Sequence, residues 1–314
     1  MKSMVIVLGD LIVDITMKFP AFPIRGGELH RSSFIDIGPG GGCNIAIMAS
    51  RLGLPVRYLG EIGGDAFGEI LLQGLLREGI DTKEIYVNKD ACTPSVAVLV
   101  DKTAEPAYLG YAGRLTLRQL PDSWKQSIKK GQALFADGWV EYEGMQAVIL
   151  EAFRQAKTAG CPVFYDPGPG NPDVDNGWMK KGIELCTVLL VNQSEAQRES
   201  GEAEVEAAGK ALLNMGPEIV VIKRGGEGIM LLKGDKIHVA PAYPVEVKDT
   251  TGAGDCVAGA VIYGYLHDMA LPELGIFANA VGSAKVSKIG TGHNLPTPDE
   301  IRAMARKFHL SLPI

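Results

Sequence analysis

Basic charge is scarce in this chain of 314 residues: 31 lysines and arginines stand against 37 acids, giving a net charge of −6. That balance leaves no electrostatic footprint for nucleic acid or for an anionic membrane. Any phosphate must be held locally, by backbone donors and a few cations. Cysteine is sparse too. Cys43, Cys92, Cys161, Cys186 and Cys256 are odd in number, scattered and free of C-x-x-C pairs. This excludes a disulfide scaffold and reads as reduced thiols in a cytoplasmic protein. His30, His238, His267, His293 and His309 are equally dispersed, which argues against a metal held by His and Cys. No apolar run approaches a membrane span, and the opening run ended by Gly9 is too short for a signal-peptide core. Two nucleotide fingerprints are also missing, G-x-x-x-x-G-K-[ST] and G-x-G-x-x-G, as is the H-R-D set of protein kinases.

What is present is an ordinary globular composition, 46% hydrophobic and 22% charged with 39 glycines, long enough to bury a sizeable core. Short continuous apolar runs at Val5–Leu8, Val56–Leu59, Ser95–Val100, Ala133–Ala136, Val163–Tyr165, Val188–Val191, Ile219–Ile222 and Ile229–Leu232 read as strands, most of them buried on both faces. Helices are expected over Cys43–Leu52, Phe67–Arg77, Gly144–Ala159, Glu204–Met215, Ala253–Leu266, Glu273–Ser287 and Pro298–Lys307. The alternation implies an α/β fold, doubly wound, with a mainly parallel sheet covered on both faces. No repeat or linker divides residues 1–314, so one domain is expected. Two segments break the pattern, about 11–37 and 92–117. Both look strand-rich, and together they would form a small sheet over one end of the domain.

The most informative stretch is Asp249-Thr250-Thr251-Gly252-Ala253-Gly254-Asp255. It ends an extended segment, Val239 to Lys248, and opens a helix of small residues. Gly252 and Gly254 let the backbone turn and bring bare N–H groups to a ligand. Those groups stand at a helix N-terminus, which favours an anion. Asp255 inside an anion site makes sense as a base aimed at something arriving beside a phosphate; the plainer alternative is an acid complementing the helix dipole. Cys256 beside it is either an activated thiol or a packing group.

In open α/β sheets ligands bind beyond the C-terminal ends of strands, and four further stretches lie there. Gly9 to Asp14 puts an acid past a buried strand, as a turn former or a hydroxyl ligand. Gly38-Pro39-Gly40-Gly41-Gly42-Cys43-Asn44 suits close approach by a small polar ligand. Asn192 and Glu195 can face one point, or serve as an N-cap and its capping-box partner. Lys223-Arg224-Gly225-Gly226-Glu227-Gly228 is a glycine turn carrying two cations.

In order and spacing these stretches resemble the ribokinase/PfkB family of carbohydrate kinases, almost from end to end. The resemblance rests on Gly9 to Asp14, Gly41 to Asn44, Gly63-Gly64-Asp65-Ala66-Phe67-Gly68, Asn192-x-x-Glu195, Gly225-x-x-Gly228 and Asp249 to Asp255. It implies a ribokinase-like fold with a β-sheet lid, and ATP-dependent phosphoryl transfer to a hydroxyl, usually primary, of a small sugar or derivative. Asp255 would be the general base, and the amides of Gly252, Ala253 and Gly254 the anion hole. Asp14, Gly42 and Asn44 would hold substrate hydroxyls. Asn192 and Glu195 would orient Mg²⁺, partly through water. Gly225, Gly228 and Asn279, with Asn192, fall where the family lines its nucleotide pocket. Lys223 stands where many relatives carry Thr and can reach ATP phosphates. Asp249 and Thr251, with backbone near Gly290, match a monovalent-cation position, so K⁺ is an optional cofactor. A homodimer through the lid is common among relatives.

The acceptor stays open. Phe19, Phe22, Tyr108 and Tyr111 in the lid either stack a nucleobase or pack, and Arg25 or Arg114 either pairs an acidic substrate or stays solvated. Asp166-Pro167-Gly168-Pro169-Gly170 departs from the Asp-x-Asn-x-Arg string of several sugar-specific relatives, which keeps a nucleoside acceptor in view. Outside the class stand a non-catalytic sugar-binding relative and a nicotinamide-dependent dehydrogenase. Intact Asp255, Asn192 and Glu195 oppose the first, and the missing fingerprint opposes the second.

Overall fold

Apolar runs bounded by glycine and acids set the frame. A computed structural model describes residues 3–21, 26–104, 106–139, 143–169 and 177–314; Phe22, Pro23, Arg25 and Gly170 lie outside them. In chain order the elements are β1 (Val5–Leu8), β2 (Leu11–Lys18), β3 (Phe34–Gly41), α1 (Gly42–Arg51), β4 (Val56–Gly63), α2 (Ala66–Arg77), β5 (Ile85–Asn88), β6 (Ser95–Val100) and β7 (Pro106–Tyr111). Then come α3 (Asp122–Lys129), β8 (Ala133–Asp137), α4 (Glu143–Thr158), β9 (Val163–Asp166), α5 (Gly177–Leu185), β10 (Val188–Asn192), α6 (Gln193–Ser200) and α7 (Val205–Asn214). The chain closes with β11 (Ile219–Lys223), β12 (Ile229–Lys233), β13 (Lys236–Ala240), α8 (Ala253–Leu266), α9 (Leu271–Val286) and α10 (Pro298–Lys307).

Nine strands form one sheet in the order β13-β12-β11-β10-β9-β8-β1-β4-β5. It is parallel throughout except for β12 and β13. Alternate residues of one strand reach opposite cores, as a strand covered on both sides requires. Val5 and Val7 join the core under α1, α8 and α9, whereas Ile6 and Leu8 join the core under α3, α4 and α7. Each such side chain contributes about 1.5–3 kcal/mol of burial. No helix among the described residues is long and apolar enough to cross a membrane.

β1 and β6 match their expected runs, and the other expected strands run further. β4 continues to Gly63 because its partner changes: Val56–Leu59 pair with β1, and Gly60–Gly63 pair with β5. The helices α3, α5 and α6 are not among those expected; α6 is a polar helix of just over two turns whose start is set by a capping box rather than by an apolar stripe.

The second sheet has four strands in the order β3-β2-β6-β7. Segments 11–18 and 34–41 thus pair with 95–100 and 106–111. Its register separates two faces. Asp14, Val96 and Gly110 lie in one cross-strand row and Tyr108 in the next on that face, turned toward the large sheet's strand ends. Ile37, Ile15, Ala97 and Leu109 form a row on the opposite face. The loop after β6 also touches the large body, since Ala104 O accepts from the N–H of Thr250 at 3.4 Å.

Candidate active site

Parallel strands end side by side, so polar residues that follow their apolar cores are brought into line. Asp137 ends β8, Asp166 ends β9, Asn192 ends β10 and Lys223 ends β11. Asp137 is in register with Asp166, and Asn192 with Lys223. Asp10 follows β1. Helix α8 points its N-terminus at the same edge, and the four-stranded sheet covers it. Between them lies a cavity of about 390 Å³ lined by Asp10, Asp14, Asp137, Asp166 and Asp255 among others.

Asp255 lies in the first turn of α8, behind Gly252, which caps the helix at φ +76°. A left-handed cap of that kind suits glycine. Part of the Asp255 surface faces the cavity. The protein around it buries the carboxyl deeply enough to push its pKa up to about 6, against the opposing pull of the Asn44 hydrogen bond. Asn44 Nδ2 donates to Asp255 Oδ2 at 2.9 Å, and Asn44 Oδ1 accepts from Gly292 N at 2.9 Å. Asn44 therefore aims Asp255 and keeps one amide hydrogen for a ligand. The N–H of Ala253 closes back on Thr250 O at 3.1 Å. The amides of Gly252 and Gly254 stand beside it, at the helix start where intrahelical partners run out.

Asp14, 6% exposed, accepts from Thr291 Oγ1 at 2.7 Å. Burial pushes its carboxyl up to about 7. The glycine run makes room for this acid: a Cβ on Gly40 would lie 2.0 Å from the Asp14 carboxyl carbon. One on Gly42 would meet Tyr58 Oη at 2.5 Å and Asp137 Oδ2 at 2.8 Å. Asp137 is itself driven well above the carboxylate range, by burial first and by Asp10 and Asp166 next.

On the other side of Asp255 one cation faces two acids. Lys223 Nζ lies 2.5 Å from Asp166 Oδ2 and reaches the first turn of α8 beside Gly254. Burial draws the Lys223 pKa down, and Asp166 and Glu195 outweigh it, so the ammonium is held charged. Asn192 and Glu195 form the capping box: Asn192 Oδ1 accepts from Glu195 N at 2.8 Å, and Glu195 Oε2 accepts from Asn192 N at 2.7 Å. Gly228 and Asn279 meet at one backbone stretch away from the cavity. Asn279 Nδ2 donates to Ala240 O and Pro241 O at 2.8 and 3.2 Å, and Gly228 packs on the same carbonyl of Ala240. Gly225 lies on the exposed turn between β11 and β12, at φ +55°.

Asp249 is fully buried and saturated. Its Oδ1 accepts from Thr251 N and Oγ1 at 2.9 and 2.6 Å, its Oδ2 from Gly290 N at 2.8 Å. The ammonium of Lys285 stands 3.3 Å from its backbone oxygen and 3.8 Å from Oδ2. Cys256 packs, and burial pushes its thiol up. Arg114 is exposed and is not among the residues that line the cavity.

Asp10, Asp137, Trp139 and Lys285 were not singled out from the sequence, and Asp166 only as a departure from a pattern. An acid directly after a buried apolar run was the available signal for Asp137 and Asp166. Lys285 had none, because a lysine in the last turn of a helix is an ordinary dipole partner.

Comparison with known proteins agrees in extent with this arrangement. Residues 2–298 match the family described as pfkB family carbohydrate kinase. A ribokinase of Mus musculus is 28% identical over 306 residues, covering 93% of this chain and 91% of the relative. A nucleoside kinase of Methanothermobacter thermautotrophicus is 26% identical over 308 residues, 98% of this chain and 97% of that one. The fold matches the structure of Arabidopsis thaliana ribokinase complexed with ribose and ATP at a TM-score of 0.82 and 20% identity, over 97% of this chain and 99% of that one. Acids, glycine turn and strand-end cation thus stand in a frame of known kind, and this chain belongs to the pfkB family of carbohydrate kinases.

Proposed function

We propose that the protein transfers the γ-phosphate of ATP to a hydroxyl, most simply a primary one, of a neutral small sugar or sugar derivative. One observation carries the reading: a single carboxylate, Asp255, faces the cavity from the head of α8 with its pKa raised to about 6 and its direction set by Asn44. At neutral pH it is ionised yet basic enough to take a proton from an alcohol as the oxygen attacks. The N-terminal amides of α8 supply fixed donors where charge builds on the transferred group. Lys223, held by Asp166 beside Gly254, adds a cation on the phosphate side. The four-stranded sheet acts as a lid that keeps water from competing as acceptor.

The lining supports a neutral acceptor. Five aspartates line the cavity, and no lysine or arginine is among its described lining residues. A sugar acid or a phosphosugar would find no cation among them and would face the ionised Asp255, whereas hydroxyls can pair with Asp14, Asp10 and Asp137. A nucleoside is the second reading. Tyr108, Tyr111 and Trp139 all line the cavity and are about half exposed, as faces on which a base would stack.

The two cations implied by the resemblance differ in fit. Among the described residues no three of His, Cys, Asp and Glu form a metal cage. That suits Mg²⁺, which keeps its waters and binds mainly to phosphates. Asn192 and Glu195 would hold it through water, with Asp166 near, and when bound it neutralises phosphate charge. K⁺ does not fit at Asp249 and Thr251, because the Lys285 ammonium already stands against the backbone oxygen and Oδ2 of Asp249.

A reducing cytoplasm is the proposed compartment, a reading that five unpaired thiols support. Ile35, Ile37 and Leu109, 60%, 43% and 65% exposed on the outer face of the small sheet, would be covered by a second copy of the chain. The test of function is ADP release with Mg²⁺ across neutral sugars, sugar acids and nucleosides, with the product identified by mass. Turnover on a neutral acceptor is expected; ADP release no higher with any acceptor than without one would sink the proposal.

A further inference from the structure

Lys285 has no exposed surface, and among the described residues it is the one fully buried lysine or arginine. An ammonium taken from water is costly unless oxygens replace its hydration. Here three do. Nζ lies 3.3 Å from Asp249 O, 3.4 Å from Lys288 O and 3.8 Å from Asp249 Oδ2. Two backbone carbonyls and a carboxylate at the C-terminal end of α9, where the helix dipole is negative, are the surroundings of a dehydrated monovalent cation. The side chain crosses from α9 to the turn that opens α8. Through its contact with Asp249 it braces the residue that also holds Thr251 N, Thr251 Oγ1 and Gly290 N. That turn delivers Gly252, Gly254 and Asp255 to the cavity. Burial draws the Lys285 pKa down and Asp249 acts against it, while the positive field of Lys285 lowers that of Asp255.

We propose that Lys285 is a built-in cation: a positioning residue whose ammonium takes the place of an exchangeable monovalent ion beneath the anion hole, so that the reaction does not depend on K⁺. The inference rests on the kinase reading above for its kinetic consequences, and on geometry alone for its binding consequences. A lysine that merely filled space would be replaced equally well by methionine, and its removal would create no demand for a cation.

Three measurements decide it. Wild-type ADP release in KCl and in tetramethylammonium chloride at equal ionic strength should agree within about twofold; activation by K⁺ of about tenfold or more would overturn the proposal. Lys285→Ala should lose about tenfold or more of kcat in tetramethylammonium, with KM for the acceptor little changed, and recover most of it in K⁺ or NH₄⁺, whereas Lys285→Met stays slow in both. Indifference of Lys285→Ala to the cation would overturn it equally. Thermal midpoints give an arm that needs no activity, and so separates failure here from failure of the kinase reading. K⁺ should raise the midpoint of Lys285→Ala and leave wild type unmoved, and a rise in wild type counts against the proposal. Should Lys285→Ala not fold, the two wild-type measurements still decide.

Discussion

Asp14 and Asp137 on one side of Asp255 are acids whose pKa values burial has pushed up, and among the described residues Asp14 accepts from the hydroxyl of Thr291. On the other side, Asp166 is paired with Lys223, and Asn192 and Glu195 form a capping box, so each has a partner before any ligand arrives. The difference separates two ways of building a site. The proposed acceptor side holds charge at a cost to stability, so it has most to gain from hydroxyl donors. The proposed donor side is scaffold held by an ion pair and backbone hydrogen bonds, in which Glu195 carries a carboxyl raised by burial and by Asp166. Mutations on the first side should therefore harm turnover and spare or raise stability. On the second side both should fall together.

The largest effect belongs to the residue between the two. Asp255→Asn removes the base while keeping the shape that Asn44 recognises, so kcat should fall by about 10²–10⁴ with the fold intact. Wild-type turnover in that variant would remove Asp255 from the mechanism. In wild type, kcat/KM should rise with pH through about 6 as Asp255 ionises.

Asp14→Asn comes next, and here activity and stability part. A carboxyl raised to about 7 in the folded state, against an ordinary 3.8, binds protons more tightly folded than unfolded. Stability from this group therefore falls as pH rises from about 4 to 7, the reverse of a salt-bridged acid. Asparagine removes that penalty. At pH 8 the variant should be about 1–3 kcal/mol more stable, a few degrees in thermal midpoint, with the gain vanishing below pH 4. Its acceptor KM should rise about tenfold or more. A midpoint lowered at pH 8 would show that Asp14 is ordinary structural scaffold.

Lys223→Met should lower kcat about tenfold and destabilise as well, because Asp166 would be left without its partner. Loss of stability with kcat untouched would make Lys223 scaffold only.

Much of this was legible beforehand, and for definite reasons. Strands covered on both faces must be apolar throughout, so β1, β8, β9, β10 and β11 stand out as short unbroken runs. Helix α8 is marked by the glycines that let it begin. Helix α6 is not legible as an apolar stripe, since Gln193–Ser200 is polar nearly all round and owes its start to two side chains. Asp137 looks like any acid that follows a strand. Only the parallel register, which sets it beside Asp166 and opposite Gly42, makes it part of a cavity. Lys285 is further from reach still, because its burial comes from α9 crossing the Asp249 turn some 36 residues earlier in the chain.

Trp139 carries the smallest expected effect and the sharpest discrimination. It stands at the rim, 53% exposed, with its indole against the backbone of Gly168. If the acceptor is a sugar held by Asp14, Asp10 and Asp137, the indole contributes only a flank, and Trp139→Ala should raise KM about two- to threefold. If the acceptor carries a base stacked between Trp139 and Tyr108 or Tyr111, one lost stacking partner is worth about 1–3 kcal/mol, and KM should rise about tenfold or more. Steady-state KM for a neutral sugar and for a nucleoside, compared in wild type and variant, reads this directly. A tenfold loss confined to the nucleoside would turn the acceptor assignment from sugar to nucleoside, while leaving Asp255 and the helix that carries it where they are.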